Sequence, residues 1–463
     1  MYVNMTEKGT VFSQNVKQVA FDVEHQKRMM SRYDFFMSVA EDCANHYANI
    51  ELEKSRAFNI RNKAFKNYDK LLVDFETNIV NNGGIVRWAR DAEEAKQLVY
   101  DILDDEKAKN VVKTKSTVAE EIGLMSYLEM KKIKVTETDT GDFICYQYNE
   151  RPSDMTHSAA HKSRKEISET FTEKFGVKED LSAKQLMIVT RKVLNDKYLN
   201  ADATITGADF IVADTGDIVM SENEGNVLKT MSLANVHIVL AGIDKLIPSI
   251  DDLSVLLPLS SLYEVTRIKA KSIYTLLSGP AKEECDRNKK LYVVLIDNRR
   301  SYLMEKEVQR KIFTCIECGA CHSVCPVFNT VGGHVYDNAF PGPVGAIVSL
   351  SEGYENSAHL STLCASCHQC EEYCPMNIKI SDLILQNRID IIKEDRSLVG
   401  EKNVFNFILN RVENRKDMDN KPFFKNFELK QLLKKTWGTH REIPVFAEKS
   451  FSQLWREIYG SEE

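Results

Sequence analysis

From Ser13 to about Asn81 the apolar residues recur at intervals of three and four, as in VKQVAFDVEHQKRMMSRYDFFMSVAEDCANHY and AFKNYDKLLVDFETNIV. That period predicts a succession of amphipathic helices. NNGG at Asn81 closes it, because glycine after a helical pattern ends the helix. Beyond this point short apolar runs alternate with helical stretches. NVVKTK, KVTET, ATITGADFIVAD, HIVLAGI and LYVVLID read as strands, several of them apolar on both faces. Such strands belong to a sheet covered by helices on each side, so the expectation is an α/β domain with a largely parallel sheet.

Three polar clusters interrupt this domain. KTKSTVAEEIG runs from a strand end into a helix, with Thr117 and Glu120 at capping-box spacing. Lys115, Ser116 and the amides of the helix start suit an anion, although a capped helix alone accounts for the same residues. In ADTGDIVMSENEGN, the residues Asp214, Glu222, Asn223, Glu224 and Asn226 crowd together. Carboxylates at that density serve as acid, base or metal ligand, or cap turns between strands. TETDTGDF, containing Asp139 and followed by His157 and His161, is open to the same two readings. The candidate catalytic residues are Lys115, Asp139, His157, Glu222 and Glu224. All three clusters sit at apparent strand ends, which converge at the carboxyl edge of a sheet, so they are expected to share one pocket. The chain has neither a GxGxxG fingerprint nor a Walker A sequence.

CIECGACHSVCPVF from Cys315 and CASCHQCEEYCPM from Cys364 repeat one rule: Cys, two residues, Cys, two residues, Cys, three residues, Cys-Pro. Zinc sites usually pair two separated CxxC or Cys/His units, each gripping the metal from one turn. Here three thiols crowd into one tight loop and the fourth is set back, as in bacterial two-cluster ferredoxins, where the fourth cysteine serves the other cluster. The reading is two 4Fe-4S clusters, one on Cys315, Cys318, Cys321 and Cys374, the other on Cys364, Cys367, Cys370 and Cys325. Gly319 and Ala320 let the backbone approach, and Pro326 and Pro375 redirect the chain after a ligand. His322 and His368 read as bystanders, and Cys43, Cys145 and Cys285 as packing residues. Between the runs, GPVGAIVSLSEGYENSAHLSTL has helical stretches, which points to an α-helical ferredoxin domain. NTVGGHVYDNAFPGP from Asn329 is either a turn wrapping the first cluster or a docking surface.

Composition narrows the setting. With 463 residues, 43% hydrophobic and 28% charged, the chain has the make-up of a multidomain globular protein. A formal charge of -7 argues against a phosphate-tracking surface, so no nucleic-acid partner is expected. No apolar stretch is long enough to span a bilayer and the start lacks a secretory signal, so a cytoplasmic location follows, any membrane contact running through partners. A reducing cytosol also disfavours disulfides for the thiol-rich runs. The expected domains are a helical region 1–81, the α/β domain 82–300, the ferredoxin-like domain 301–395 and a helical segment 396–463. In that last segment VFNFILN, PFFKNF and FSQLW either fold back on the ferredoxin domain or cover a partner.

Taken in order, GGIVRWARDAEEA, KTKSTVAEEIGL, ETDTGDFI, GADFIVADTGDIVMSENEGN, GIDKLIP, both cysteine runs and REIPVFAEKSFSQLW resemble the lactate utilisation protein B family. The resemblance implies a fold related to sugar-phosphate isomerases and CoA transferases, and two 4Fe-4S clusters. It implies the iron–sulfur subunit of a complex that oxidises L-lactate, with a cysteine-rich redox subunit and a second lactate-utilisation-domain subunit as partners. On that view the chain is part of an oxidoreductase that is not NAD-dependent, acting on L-lactate or a related hydroxy acid. One departure is Ala281 after Pro280, where the family usually has a Gly-Pro-Arg type segment. An alternative of another class is an α/β protein binding an anionic metabolite, its clusters acting as a redox sensor or as structural elements.

Overall fold

Four helices open the chain: α1 (Glu7–Val19), α2 (Val23–Ala44), α3 (Ile50–Ala64) and α4 (Tyr68–Asn81). The computed structural model describes residues 7–45, 47–264, 273–280, 289–394, 413 and 449–460. By contacts the chain divides into two units, residues 8–388 and residues 1–7 with 389–463. Among the described residues no helix is long and apolar enough to cross a membrane.

The α/β part is built on six parallel strands in the order β1-β10-β7-β4-β2-β3. They are β1 (Ile85–Ala89), β2 (Asn110–Lys113), β3 (Lys134–Glu137), β4 (Ala203–Gly207), β7 (Val236–Gly242) and β10 (Lys290–Ile296). Alternation along the central strands explains why both faces are covered. Ile238, Leu240, Val294 and Ile296 point to one side, with Val99 and Leu103 of helix α5 (Ala92–Asp105). Val239, Ala241, Val293 and Leu295 point to the other, with Leu72, Phe75 and Ile79 of α4. All seven residues of β7 are buried, so a polar substitution there would strand an unpaired group in a dry core.

A second sheet, not anticipated from the sequence, runs β8-β5-β6-β9 through β5 (Phe210–Val212), β6 (Ile218–Glu222), β8 (Leu246–Ile247) and β9 (Ile273–Leu277). The run ATITGADFIVAD is therefore two strands in two sheets. It breaks at Gly207, where a Cβ would come within 3.1 Å of the Ser116 hydroxyl. The capping box expected of Thr117 and Glu120 is not formed either. Ser116 is the N-cap of α6 (Thr117–Glu121), accepting from the Ala119 amide at 3.2 Å. Glu120 instead takes the Tyr146 hydroxyl at 2.6 Å.

The cysteine-bearing region is made of short helices, among them Ala320–Val324, Pro326–Val331, Gly342–Val348 and Tyr354–Thr362. The loop from Asn329 is mostly inside: Asn329, Val331, Val335, Tyr336 and Phe340 are buried. That burial agrees with the wrapping turn, while Asp337 at its tip is exposed. Arg61, 1% exposed, ties the parts together by donating to the carbonyls of Leu246 at 2.8 Å, Asp244 at 2.6 Å and Phe313 at 2.7 Å. Of the C-terminal aromatic runs, VFNFILN and PFFKNF lie outside the described residues, as do Ala281 and Cys285. FSQLW begins the helix Phe451–Tyr459, capped by Ser450 and Gln453.

Candidate functional site

Two thiol-lined pockets and one larger cavity carry the chemistry. Cys315, Cys318, Cys321 and Cys374 line one pocket, with Gly319, Pro375 and Met376. Cys325, Cys364, Cys367 and Cys370 line the other, with Pro326 and Tyr336. The fourth thiol of each set comes from the other run. All nine described cysteines are free thiols. Four of them in the sets, Cys318, Cys321, Cys370 and Cys374, are buried. Burial pushes the Cys315 thiol up to about 12, with Glu317 adding to the effect. It pushes Cys325 up to about 11 and Cys370 to about 12. Buried thiols that face one another ionise only beside a compensating cation, which is what a metal cluster supplies. The backbone is already arranged for thiolates: the amides of Glu317 and Ser366 each point at a sulfur 3.3 Å away, on Cys315 and Cys364. The residues therefore fit a pair of iron–sulfur clusters.

The two bystander histidines are placed differently. His322 is fully buried, stacked on Phe328 with ring centroids 4.6 Å apart, its Nδ1 3.5 Å from the Asp154 carboxylate. Asp154 in turn pairs with Arg32 of α2. His368 is exposed, near Glu371 at 3.3 Å. Cys145 is buried, its Sγ 3.2 Å from the Ser158 carbonyl.

At the carboxyl edge of the parallel sheet lies a cavity of about 410 Å³. Its walls include Lys115, Asp139, His157, Glu222 and Glu224, so the candidates from three separate stretches share one space. Lys115 follows β2, Asp139 follows β3 and caps the helix Thr140–Gln147, and Glu222 ends β6 of the second sheet. Lys115 is not a free cation: its ammonium lies 3.2 Å from Asp142 and 2.5 Å from the Ser158 hydroxyl. Burial works against its charge, but Asp142 and Asp139 more than offset that and hold it protonated. Glu222 is buried and accepts from the Leu228 amide and the Thr275 hydroxyl, each at 3.3 Å. Glu224 stands at the mouth, taking the Thr140 amide at 3.2 Å and hydroxyl at 2.7 Å. Burial and the nearby Arg32 guanidinium bring His157 down to about 4, so it is neutral at physiological pH. Asn223 and Asn226 also line the cavity.

Asp214 and His161 are elsewhere. Asp214 caps the Ile250 amide at 3.1 Å, and His161 pairs with Glu150 at 2.7 Å and stacks on His334. Among the cavity residues that escaped the sequence reading are Lys245 and Glu317, which form an ion pair. Glu317 lies between two cysteines of the first set, so the loop that carries thiols on one side forms cavity wall on the other.

A parallel, helix-covered sheet joined to two four-thiol sets defines a LUD-domain protein with a ferredoxin-type dicluster region. The chain matches the LUD domain over residues 72–296 and the 4Fe-4S dicluster domain over residues 311–378. Lactate utilization protein B of Bacillus velezensis is 35% identical over 363 residues, covering 78% of this chain and 76% of that protein. Its counterpart in Oceanobacillus iheyensis is 35% identical over 361 residues, with 78% and 75% covered. The Bacillus subtilis protein of that name is 34% identical over 365 residues, with 78% and 76% covered. The chain belongs to the lactate utilization protein B family.

Proposed function

We propose that this chain is the iron–sulfur electron-transfer subunit of a multi-subunit complex that oxidises L-lactate to pyruvate. The observation that carries the reading is the pair of four-thiol sets, each completed by the other run. Cys315, Cys318, Cys321 and Cys374 hold one 4Fe-4S cluster, and Cys364, Cys367, Cys370 and Cys325 the second. When bound, such clusters accept and pass on single electrons, and two of them match the electron pair that leaves a hydroxy acid. The protein supplies thiolate ligation, burial and the amide hydrogen bonds from Glu317 and Ser366 that set the potentials. The names of the relatives support lactate, or a related hydroxy acid, as the substrate class. Partner subunits, one cysteine-rich and one with a second lactate-utilisation domain, complete the oxidation, and the terminal acceptor lies beyond them.

The test is anaerobic purification with co-purifying proteins, followed by addition of L-lactate, D-lactate or glycolate while the cluster absorbance is monitored. Bleaching by L-lactate in the presence of partners supports the reading. About two zinc ions and no acid-labile sulfide would remove it. Sustained dye reduction by the isolated, cluster-loaded chain with L-lactate would move the substrate chemistry into this chain's own cavity.

A further inference from the structure

Glu317 has two faces. Its amide points at the Cys315 sulfur, 3.3 Å away, while its carboxylate reaches into the cavity wall. There it meets the Lys245 ammonium and accepts from the Thr117 hydroxyl at 3.2 Å. The matching residue of the second run, Ser366, adopts the same left-handed turn, φ 53° against 54° for Glu317, and makes the same 3.3 Å bond to its cysteine. The ligand loop thus closes without a carboxylate at this position. In the first run the carboxylate serves the cavity.

Lys245 and Lys115 both line that cavity, and each already holds a carboxylate. The two partners differ in freedom. Asp142, beside Lys115, has a side chain only 1% exposed and is locked in place, whereas the Glu317 side chain is 19% exposed and borders open space. An incoming anion can therefore displace Glu317 far more readily than Asp142.

We propose that the Glu317 carboxylate occupies the place taken by the carboxylate of a small hydroxy- or oxo-acid when that ligand binds. The ligand replaces Glu317 on Lys245 and Thr117. The released Glu317 alters both the local charge and the amide bond at Cys315, so occupancy of the cavity is felt by the adjoining cluster and not by the one on Cys364. The ligand class rests on the lactate reading above, while the coupling rests on the cavity and the ion pair.

The experiment uses the full chain, loaded with clusters anaerobically, and pyruvate as a probe that carries the carboxylate but donates no electrons. Reduction midpoints of both clusters are followed by electron paramagnetic resonance, with Cys325→Ser identifying the signal of the set containing Cys315. In the native chain pyruvate shifts that signal's midpoint and leaves the other in place. Glu317→Gln raises the same midpoint without ligand and binds pyruvate about tenfold tighter in equilibrium dialysis, because a competing like charge is gone. Adding pyruvate to this variant puts a carboxylate back beside Lys245 and lowers the midpoint toward the native value. If Glu317→Gln fails to assemble, Thr117→Val is the second variant, with intact clusters and a pyruvate-induced shift that is reduced. Pyruvate binding that is no tighter in Glu317→Gln than in the native chain, or a midpoint shift that falls equally on both clusters, overturns the proposal. Two intact clusters with no response to pyruvate sink the coupling alone, whereas absence of clusters from the native chain sinks the iron–sulfur reading instead.

Discussion

Cys315–Cys321 and Cys364–Cys370 are one turn built twice and set in opposite surroundings. Both place left-handed residues at matching positions, Glu317 with Ser366 and Gly319 with His368. Both aim an amide at the first sulfur over 3.3 Å. Yet Cys318 to Val324 are buried, while Ala365 to His368 are exposed. Ligand spacing decides what is bound. The residues between the ligands decide whether the bound group faces a cavity or water, and so how strongly neighbouring charges act on it, since water screens charges that a buried wall does not.

The largest expected effect breaks the crossing itself. Cys374→Ser should remove about four of roughly eight iron atoms, those held with Cys315, Cys318 and Cys321, whereas Cys325→Ser should remove the other half. Iron and sulfide analysis with electron paramagnetic resonance separates the two, and loss of the set nearer in sequence would contradict the pairing.

Next comes the support behind the inner run. Arg32→Gln leaves Asp154, which is 2% exposed, without its cation, at a cost of ~3–5 kcal/mol in chemical denaturation. Burial raises the Asp154 carboxyl, but Arg32 and His322 prevail and hold it well below the ordinary value of 3.8. A carboxylate depressed in this way contributes stability that is complete above the unfolded value and is lost as pH falls toward the folded one. The native chain should therefore lose stability below about pH 4 more steeply than Arg32→Gln, as measured by thermal midpoints across that range.

A smaller effect sharpens the contrast of surroundings. Ser366→Asp places a new negative charge beside the outer set and should lower that cluster's midpoint by less than Glu317→Gln raises the inner one, because the outer loop is hydrated. Equal shifts in a redox titration would mean that the two sites see the same dielectric.

The smallest effect concerns the paired turns. Gly319 has φ +74°, and a Cβ there would lie 2.8 Å from the Thr156 hydroxyl. Gly319→Ala should cost about 1–2 kcal/mol, while His368→Gly, at an exposed position with φ 62°, should be neutral within about 0.5 kcal/mol. Denaturation midpoints of the two variants make the comparison.

Much of this was legible in advance, for physical reasons that differ by region. Thiol spacing is set by local loop geometry, so sequence alone suggests how the two sets are composed. The parallel sheet announced itself through strands apolar on both faces, such as HIVLAGI. The second sheet did not, because β5 and β8 are three and two residues long and β6 was hidden inside a stretch notable for its acids. In the cavity, Lys115, Asp139, His157, Glu222 and Glu224 were visible because polar residues at strand ends converge. Lys245 and Glu317 were not, since their pairing spans 72 positions and Glu317 reads as filler between cysteines. Ser116 displaced Thr117 as the cap because the helix begins one residue earlier than the motif implied.

Arg61 sets a timetable for synthesis. Its three carbonyl acceptors lie 183, 185 and 252 positions further along the chain. At ribosomal rates of about 5–20 residues per second, the last of them emerges on the order of 12–50 seconds after Arg61 itself. Until then the guanidinium has no interior to enter, and helix α3 waits with its inward face uncovered. The first strand waits as well, because β1 finds its partner only in β10. A nascent chain of this protein is thus obliged to hold its opening helices in reserve through most of translation, a long interval in which a holding chaperone would find its client.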